Sequence, residues 1–424
     1  MVPSKLDTTS DLSPIEFSTE RGEHMQYRIV QKSGDKISIL GYGGMRFPTK
    51  GGLIDEDKAC RQLRHAIDQG VNYIDTAYFY HGGQSETFIG KALKDGYREK
   101  VHIATKMPPW LVNSVQDMDR IIETQLKRLQ VTTIDYYLLH ALNRENWEKF
   151  LSLDILNYLT ALKASGKVKN VGFSFHGDRE NFKEIIDSYD WDFCQIQYNI
   201  LDENTQAGRF GLEYAAEKGI AVFIMEPLRG GTLAQKLPNQ VKALYDDFSI
   251  KRTPAEWALK WIWNQPGVTM VLSGMTEDQH IEDNIAFAKD MLPNQFSESE
   301  NALIHEAKNI YLNLQRVPCT GCQYCMPCPF GVDIPRCFDL YNSKYLLNQK
   351  TGAFYWMQLG GMNGKPSYAS LCTKCGVCLE HCPQSIDIPS RLVEVASDME
   401  NFLMKPMMKI GNSVVKFYNK LKKT

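Results

Sequence analysis

Apolar residues recur along the first three hundred positions in short β-branched or aromatic runs. These are ISILGYGG from 37, YIDTA from 73, VHIATK from 101, IDYYLL from 134, VKNVGFS from 168, FCQIQYN from 193, IAVFIME from 220 and VTMVLSG from 268. Runs of this length and composition read as buried strands. Between them the apolar period lengthens. After the first run Ala59, Leu63, Ala66 and Ile67 repeat at steps of three and four, with Asp55, Glu56 and Asp57 ahead and Gly70 behind, which predicts an amphipathic helix packed on a sheet. Eight strand-then-helix units within about 250 residues match a closed parallel barrel. A doubly wound sheet usually has fewer strands, and no G-x-G-x-x-G follows the first run.

The expected fold is therefore α/β: a (β/α)8 TIM barrel over residues 25–295, followed by a small, mainly helical and loop domain over 317–400. Between them residues 296–316 predict a linking helix, because Ser297 with Glu300 three positions later forms a capping box. Residues 1–24 are polar, mixed in charge and without alternation, and read as a flexible extension.

Composition narrows the classes. Hydrophobic residues make up 43% and charged residues 23% of the 424, which sets aside disordered, collagenous and fibrous chains. A formal charge of −2 gives no electrostatic case for a nucleic-acid partner. No run of eighteen apolar residues occurs, and the opening residues lack the apolar core that secretion needs. A cytoplasmic protein with no integral membrane segment is expected.

Cysteine usage changes the picture most. Of eleven cysteines only Cys60 and Cys194 precede residue 319, and nine fall between Cys319 and Cys382. At that density a cytosolic chain points to metal rather than disulfides. Cys372-x2-Cys375-x2-Cys378-x3-Cys382-Pro383 reproduces the ligand run of bacterial-type four-iron clusters. Cys319, Cys322, Cys325 and Cys328-Pro329 form a second run, one residue shorter between its last two thiols. The matching tails GVDIP (331–335) and QSIDIP (384–389) argue for a duplicated unit and two clusters. With cross-ligation, Cys319, Cys322, Cys325 and Cys382 bind one, and Cys372, Cys375, Cys378 and Cys328 the other. A pair of zinc sites is the alternative, although zinc ribbons favour paired C-x2-C knuckles over evenly spaced thiols. Cys337 is left over and reads as a buried apolar thiol.

In a barrel, chemistry collects where strands end, which singles out Asp75, Lys106, His140, Ser174, Gln195 and Glu226. A carboxylate, a lysine and a histidine at consecutive strand ends converge on one mouth, with Tyr80 reaching in from the loop after Asp75. A phenol is a poor acid at neutral pH unless a cation stabilises its phenolate. Lys106 could supply that charge, Asp75 could hold Lys106, and His140 could donate a hydrogen bond to a carbonyl oxygen. Taken singly, His140 could equally be a satisfied core histidine and Lys106–Asp75 a structural ion pair.

The segments LGYGGMR, IDTAYFYHGGQSETFIGKAL, IATK, YYLLH and VGFSFHG, in order over residues 25 to about 300, resemble the aldo/keto reductase family. The resemblance implies an oxidoreductase whose catalytic tetrad is Asp75, Tyr80, Lys106 and His140, with Tyr80 as proton donor and NAD(P)H as hydride donor. It puts Ser174 and Gln195 at positions that bind the nicotinamide carboxamide, Met225, Leu228 and Gly230 at further cofactor positions, and Asp283 and Asn284 near the adenine. Several positions depart from the family pattern. Met225 stands where a tyrosine usually stacks on the nicotinamide, and Phe175 where an asparagine usually follows the serine. Gly274 and His280 replace the lysine and arginine that often clamp the 2′-phosphate, so the main physical reason to prefer NADPH over NADH is missing.

Members with an appended ferredoxin-like segment form a subgroup, and the resemblance extends to it. The implied function is carbonyl/alcohol interconversion on a small-molecule substrate, with electron transfer through the C-terminal 4Fe–4S clusters to a ferredoxin or other carrier. Nicotinamides move two electrons as hydride, clusters move one, and no flavin motif links them. An electron-transfer or sensing protein with a non-catalytic barrel, and clusters that only order the tail, are the competing expectations. The tail from 401 to 424 carries six lysines in KPMMKIGNSVVKFYNKLKKT and predicts a solvated basic helix, or a dock for an acidic partner or a membrane surface.

Overall fold

A computed structural model describes residues 24–347, 355–356, 358–359 and 366–400. The extension expected at 1–24, His24 aside, and the basic tail at 401–424 lie outside the described residues. By contacts the described chain forms two compact units. One holds the chain up to Tyr198, Asp202–Pro227 and Lys260–Gln295; the other holds Asn199–Leu201, Leu228–Leu259 and the chain from Phe296 onward. No helix among the described residues is long and apolar enough to cross a membrane.

In the first unit eight parallel strands close into a barrel: β1 (Leu40–Gly43), β2 (Tyr73–Asp75), β3 (His102–Met107), β4 (Ile134–Leu142), β5 (Val168–Phe175), β6 (Phe193–Gln197), β7 (Ala221–Met225) and β8 (Met270–Ser273). Each pairs with its neighbour in sequence, and β8 pairs with β1. The predicted (β/α)8 fold is the observed one. Register aligns Asp75 with Ala104, Lys106 with Leu138 and Gln195 with Ser174. Because side chains alternate along a strand, Tyr73, Tyr136, Phe193 and Phe223 share a face with Asp75, His140, Gln195 and Met225 further along.

Those four aromatics are fully buried and fill the interior, with ring centroids 5.2 Å apart for Tyr73–Tyr136, 5.0 Å for Tyr73–Phe223 and 5.1 Å for Phe193–Phe223. Gly172 in β5 makes room for them: a Cβ there would sit 2.4 Å from the Phe193 carbonyl oxygen. The polar residues at the strand ends therefore rest on an apolar floor.

The first sequence run divides. Its opening residues pair as Lys36–Ser38 with Tyr27–Ile29 in an antiparallel hairpin, and its second half becomes β1. Asn72 causes the division. Its side-chain oxygen accepts the Ser38 N–H at 2.8 Å, its own N–H donates to Ser38 Oγ at 3.0 Å, and Ser38 Oγ donates to the Leu40 carbonyl at 2.7 Å. The predicted first helix forms over Glu56–Asp68, capped by Asp55 on the Lys58 N–H, with Ala59, Leu63, Ala66 and Ile67 buried.

In the second unit the capping box is present at Ser297, where the helix Glu298–Leu314 begins. The repeated Asp-Ile-Pro has a structural cause. Asp333 caps Ile334–Leu346 through the Arg336 N–H, Asp387 caps Ile388–Met399 through the Ser390 N–H, and proline occupies the first turn, where no N–H is needed. Val332, Ile334, Phe338, Ile386, Ile388 and Leu392 bury one core between the two repeats, and Cys337 lies within it as an apolar thiol, 3.7 Å from Tyr355 OH. Residues 228–259, which follow β7, fold with this unit. Gly230 has φ +62° and its missing Cβ would lie 2.2 Å from the Thr320 carbonyl oxygen, while Arg229 donates to Gln315 Oε1 at 2.6 Å.

Candidate active site and thiol clusters

Lys106 near the end of β3 is fully buried, and its Nζ donates to both carboxylate oxygens of Asp75 and to the Thr76 carbonyl, each at 2.7 Å. Burial pushes the Lys106 amine down and the Asp75 carboxyl up, and each partner's charge opposes the other's shift. The same Nζ lies 5.0 Å from the centre of the Tyr80 ring. His140 in β4 meets Tyr80 edge to face at 6.3 Å. Burial, then the charges of Lys106 and His176, hold His140 well below the usual histidine range, so it is neutral at pH 7. The structure thus gathers Asp75, Tyr80, Lys106 and His140 at one mouth. Backbone strain marks it: His81, Ala141 and Glu226 have φ of 52°, 51° and 55°.

The other predicted residues occupy the strand ends around this group. Ser174 Oγ accepts the Ala141 N–H at 2.7 Å. Gln195 is buried with its Nε2 3.6 Å from Met225 Sδ, and its Oε1 meets no donor among the described residues. A buried carbonyl oxygen without a donor is costly, and an amide NH2 arriving there would satisfy it, so the site fits a nicotinamide carboxamide. Asn284 is buried and donates to Ser273 Oγ at 3.0 Å, whereas Asp283 is half-buried and accepts from Gln279 at 2.8 Å. Leu228 and Gly230 fall in the second unit.

The cysteines separate into two groups. Burial raises the Cys325 thiol, and the neighbouring charges that raise it further are Cys322, Cys319 and Cys382. Burial pushes Cys378 up to about 11, and its charged neighbours are Cys372, Cys328 and Cys375. Cys328, Cys372, Cys375 and Cys378 line one pocket together with Cys325, Phe330, Ile334 and Leu392. Three thiols at C-x2-C-x2-C spacing, joined on one pocket by Cys328 from the other run, form a donor set that fits 4Fe–4S.

Residues 39–308 match the model of the aldo/keto reductase family. The chain belongs to the aldo/keto reductase family. It is similar to the aldo-keto reductase YhdN of Bacillus subtilis, 26% identical over 299 residues that cover 61% of this chain and 87% of that one. It is also similar to the methylglyoxal reductase YeaE of Escherichia coli, 27% identical over 304 residues, 67% of this chain and 95% of that one. Among solved structures, the holo form of aldo-keto reductase AKR11C1 from Bacillus halodurans superposes with a TM-score of 0.57 at 26% identity, covering 67% of this chain and 96% of that one. Residues 318–386 match a 4Fe–4S dicluster domain. The protein is an oxidoreductase: an aldo/keto reductase barrel followed by an iron–sulfur domain.

Two features of this aldo/keto reductase site escape strand-end reasoning. Glu86 is fully buried behind Lys106 and accepts hydrogen bonds from Thr105 at 2.6 Å, Gln125 at 2.9 Å and Arg128 at 3.0 Å. Its charge supports the Lys106 cation. Trp110 lies 5.4 Å from His140, stacks on Phe79 at 6.0 Å and is 41% exposed, forming an aromatic wall at the mouth. Its only sequence signal is its place four residues after Lys106, behind Pro108-Pro109.

Proposed function

We propose that the barrel reduces a small aldehyde or ketone with NAD(P)H, and that the cysteines hold two 4Fe–4S clusters which exchange single electrons with an external carrier such as a ferredoxin. Carbonyl, reduced nicotinamide and a proton give alcohol and oxidised nicotinamide. The observation that carries this reading is the doubly bonded Lys106–Asp75 pair beneath the Tyr80 ring, with neutral His140 at its edge.

Asp75 keeps Lys106 charged and aimed at the ring. Lys106 stabilises the phenolate left when Tyr80 passes its hydroxyl proton to the carbonyl oxygen, and His140 donates a hydrogen bond to that oxygen. Gln195 and Ser174 would orient the carboxamide, Met225 would face the nicotinamide ring, and Asp283 and Asn284 would contact the nucleotide. When bound, NAD(P)H supplies the hydride. Trp110 and Phe79 offer an apolar surface to the substrate, and the methylglyoxal reductase among the relatives supports a small carbonyl compound as its class.

Cys319, Cys322, Cys325 and Cys382 would hold one cluster, and Cys328, Cys372, Cys375 and Cys378 the other. When bound, each cluster would supply a one-electron redox centre. Cys375 is exposed, and Phe330 and Val377 beside it are 47% and 43% exposed, an apolar rim on which a carrier can dock close to the second group. Anaerobic protein should carry about eight irons per chain. Tyr80→Phe should lose about a hundredfold or more in kcat for carbonyl reduction while keeping its iron. Undiminished turnover by that variant overturns the proton-donor role.

A further inference from the structure

Resting on the reductase reading, we propose that Arg46 is a phosphate-binding residue of the nicotinamide nucleotide site. Arg46 follows the C-terminal end of β1, which pairs with β8 through Leu272–Gly41 and Ser273–Tyr42. The two strand ends are close: a Cβ on Gly43 would meet the Ser273 carbonyl oxygen at 3.3 Å. The Arg46 side chain leans across this gap. Its Cβ, Cγ and Cδ lie 3.1 to 3.2 Å from where a Cβ on Gly274 would be, so glycine at 274 lets the arginine stem lie against the backbone that follows β8.

The backbone under Arg46 is fixed from both sides. Thr276 Oγ1 donates to the Arg46 carbonyl at 3.0 Å. The Phe47 N–H donates to His81 Nε2 at 3.1 Å, and the Phe47 ring packs 4.8 Å from Phe88 and 5.8 Å from Tyr42. Arg46 itself is exposed and makes no ion pair among the described residues. The acids of the facing loop are engaged elsewhere: Glu277 by Lys58 at 2.8 Å and Asp278 by Gln62 at 2.6 Å. A seated stem thus carries an uncompensated guanidinium at the barrel mouth.

In barrels of this kind the loops after the last two strands commonly form a phosphate site, and a guanidinium meets phosphate through paired charge-assisted hydrogen bonds. Asn284, directly behind through Ser273, places the adenine end of the nucleotide on the same rim under the reading above. Arg46 would then supply from β1 the phosphate contact that Gly274 and His280 cannot supply from β8.

The test is nucleotide binding, followed by nicotinamide fluorescence on full-length, cluster-loaded protein with NADPH and NADH. Arg46→Ala should weaken binding about 10- to 100-fold, the loss expected for a charge-assisted contact, and Arg46→Lys by less. A loss confined to NADPH marks the 2′-phosphate, and an equal loss for both marks the shared pyrophosphate; either supports the proposal. Gly274→Ala, whose Cβ would displace the arginine stem, should reproduce the loss with Arg46 intact. Wild-type affinity of Arg46→Ala for both nucleotides overturns the proposal. Absence of nucleotide binding by the wild-type protein would instead overturn the reductase reading on which it rests.

Discussion

Asp75→Asn is the sharpest perturbation of the proposed mechanism, because the side chain keeps its shape but loses its charge and one of the two oxygens that accept from Lys106. Lys106 is fully buried and holds Asp75 at 2.7 Å through both oxygens. Removing one partner of a buried pair leaves the other uncompensated and costs about 3–5 kcal/mol. Against a total stability of about 5–15 kcal/mol, the variant should still fold. The sign of its pH response follows from the Lys106 shift. Burial already lowers the amine, and Asp75 is foremost among the charges that raise it, so the variant's Lys106 loses its proton at lower pH than the wild type's. Where the cation beside Tyr80 is lost, kcat should fall about 10²- to 10⁴-fold. It should recover as pH falls through the lowered amine value, while wild-type kcat stays flat there. Steady-state carbonyl reduction from pH 5 to 9, with urea unfolding under anaerobic conditions, measures both quantities. An Asp75→Asn protein with wild-type kcat, pH profile and unfolding midpoint would refute the reasoning.

Three further outcomes are expected. Burial holds His140 and His176 below the usual histidine range, His176 at about 4, so the fold favours their neutral forms. Their contribution to stability is whole above the unfolded value of about 6.5 and is lost as pH falls from there toward 4, by up to about 1.4 kcal/mol per pH unit for each. Urea midpoints at pH 7, 5.5 and 4.5 should show it, and His176→Gln should flatten the dependence. Cys328→Ser should remove the same spectroscopic component as Cys378→Ser, and Cys382→Ser the same one as Cys325→Ser, each leaving about four irons; paramagnetic resonance in which Cys328→Ser instead resembles Cys325→Ser contradicts this grouping. Glu86→Gln should cost about 2–3 kcal/mol, less than a fully buried pair because Arg128 is partly exposed, and should move the alkaline limb of kcat to lower pH along with Lys106. A variant that is destabilised with an unchanged pH profile would confine Glu86 to a structural role.

The barrel was legible because its signal is local. Strand runs and helical periods need only neighbours in sequence, and side-chain alternation then orients every strand-end residue. The division of the first run was not legible, since Asn72 acts on Ser38 from thirty-four residues away. Glu86 escaped for the same reason: its partners Thr105, Gln125 and Arg128 come from later elements. The repeated Asp-Ile-Pro was visible as a repeat, but its work as a helix cap shows only once Asp333 and Asp387 meet the Arg336 and Ser390 N–H groups. That Leu228–Leu259 fold with the C-terminal residues had no sequence signal, because the contact of Gly230 with Thr320 depends on an absent Cβ.

The plug of rings formed by Tyr73, Tyr136, Phe193 and Phe223 makes the barrel a cup rather than a tube. Reactants must arrive, and products depart, over one lip. Under the proposed reading, traffic in both directions would pass Trp110, so the bulk of the side chain at 110 would govern how fast product escapes as much as which substrate is admitted.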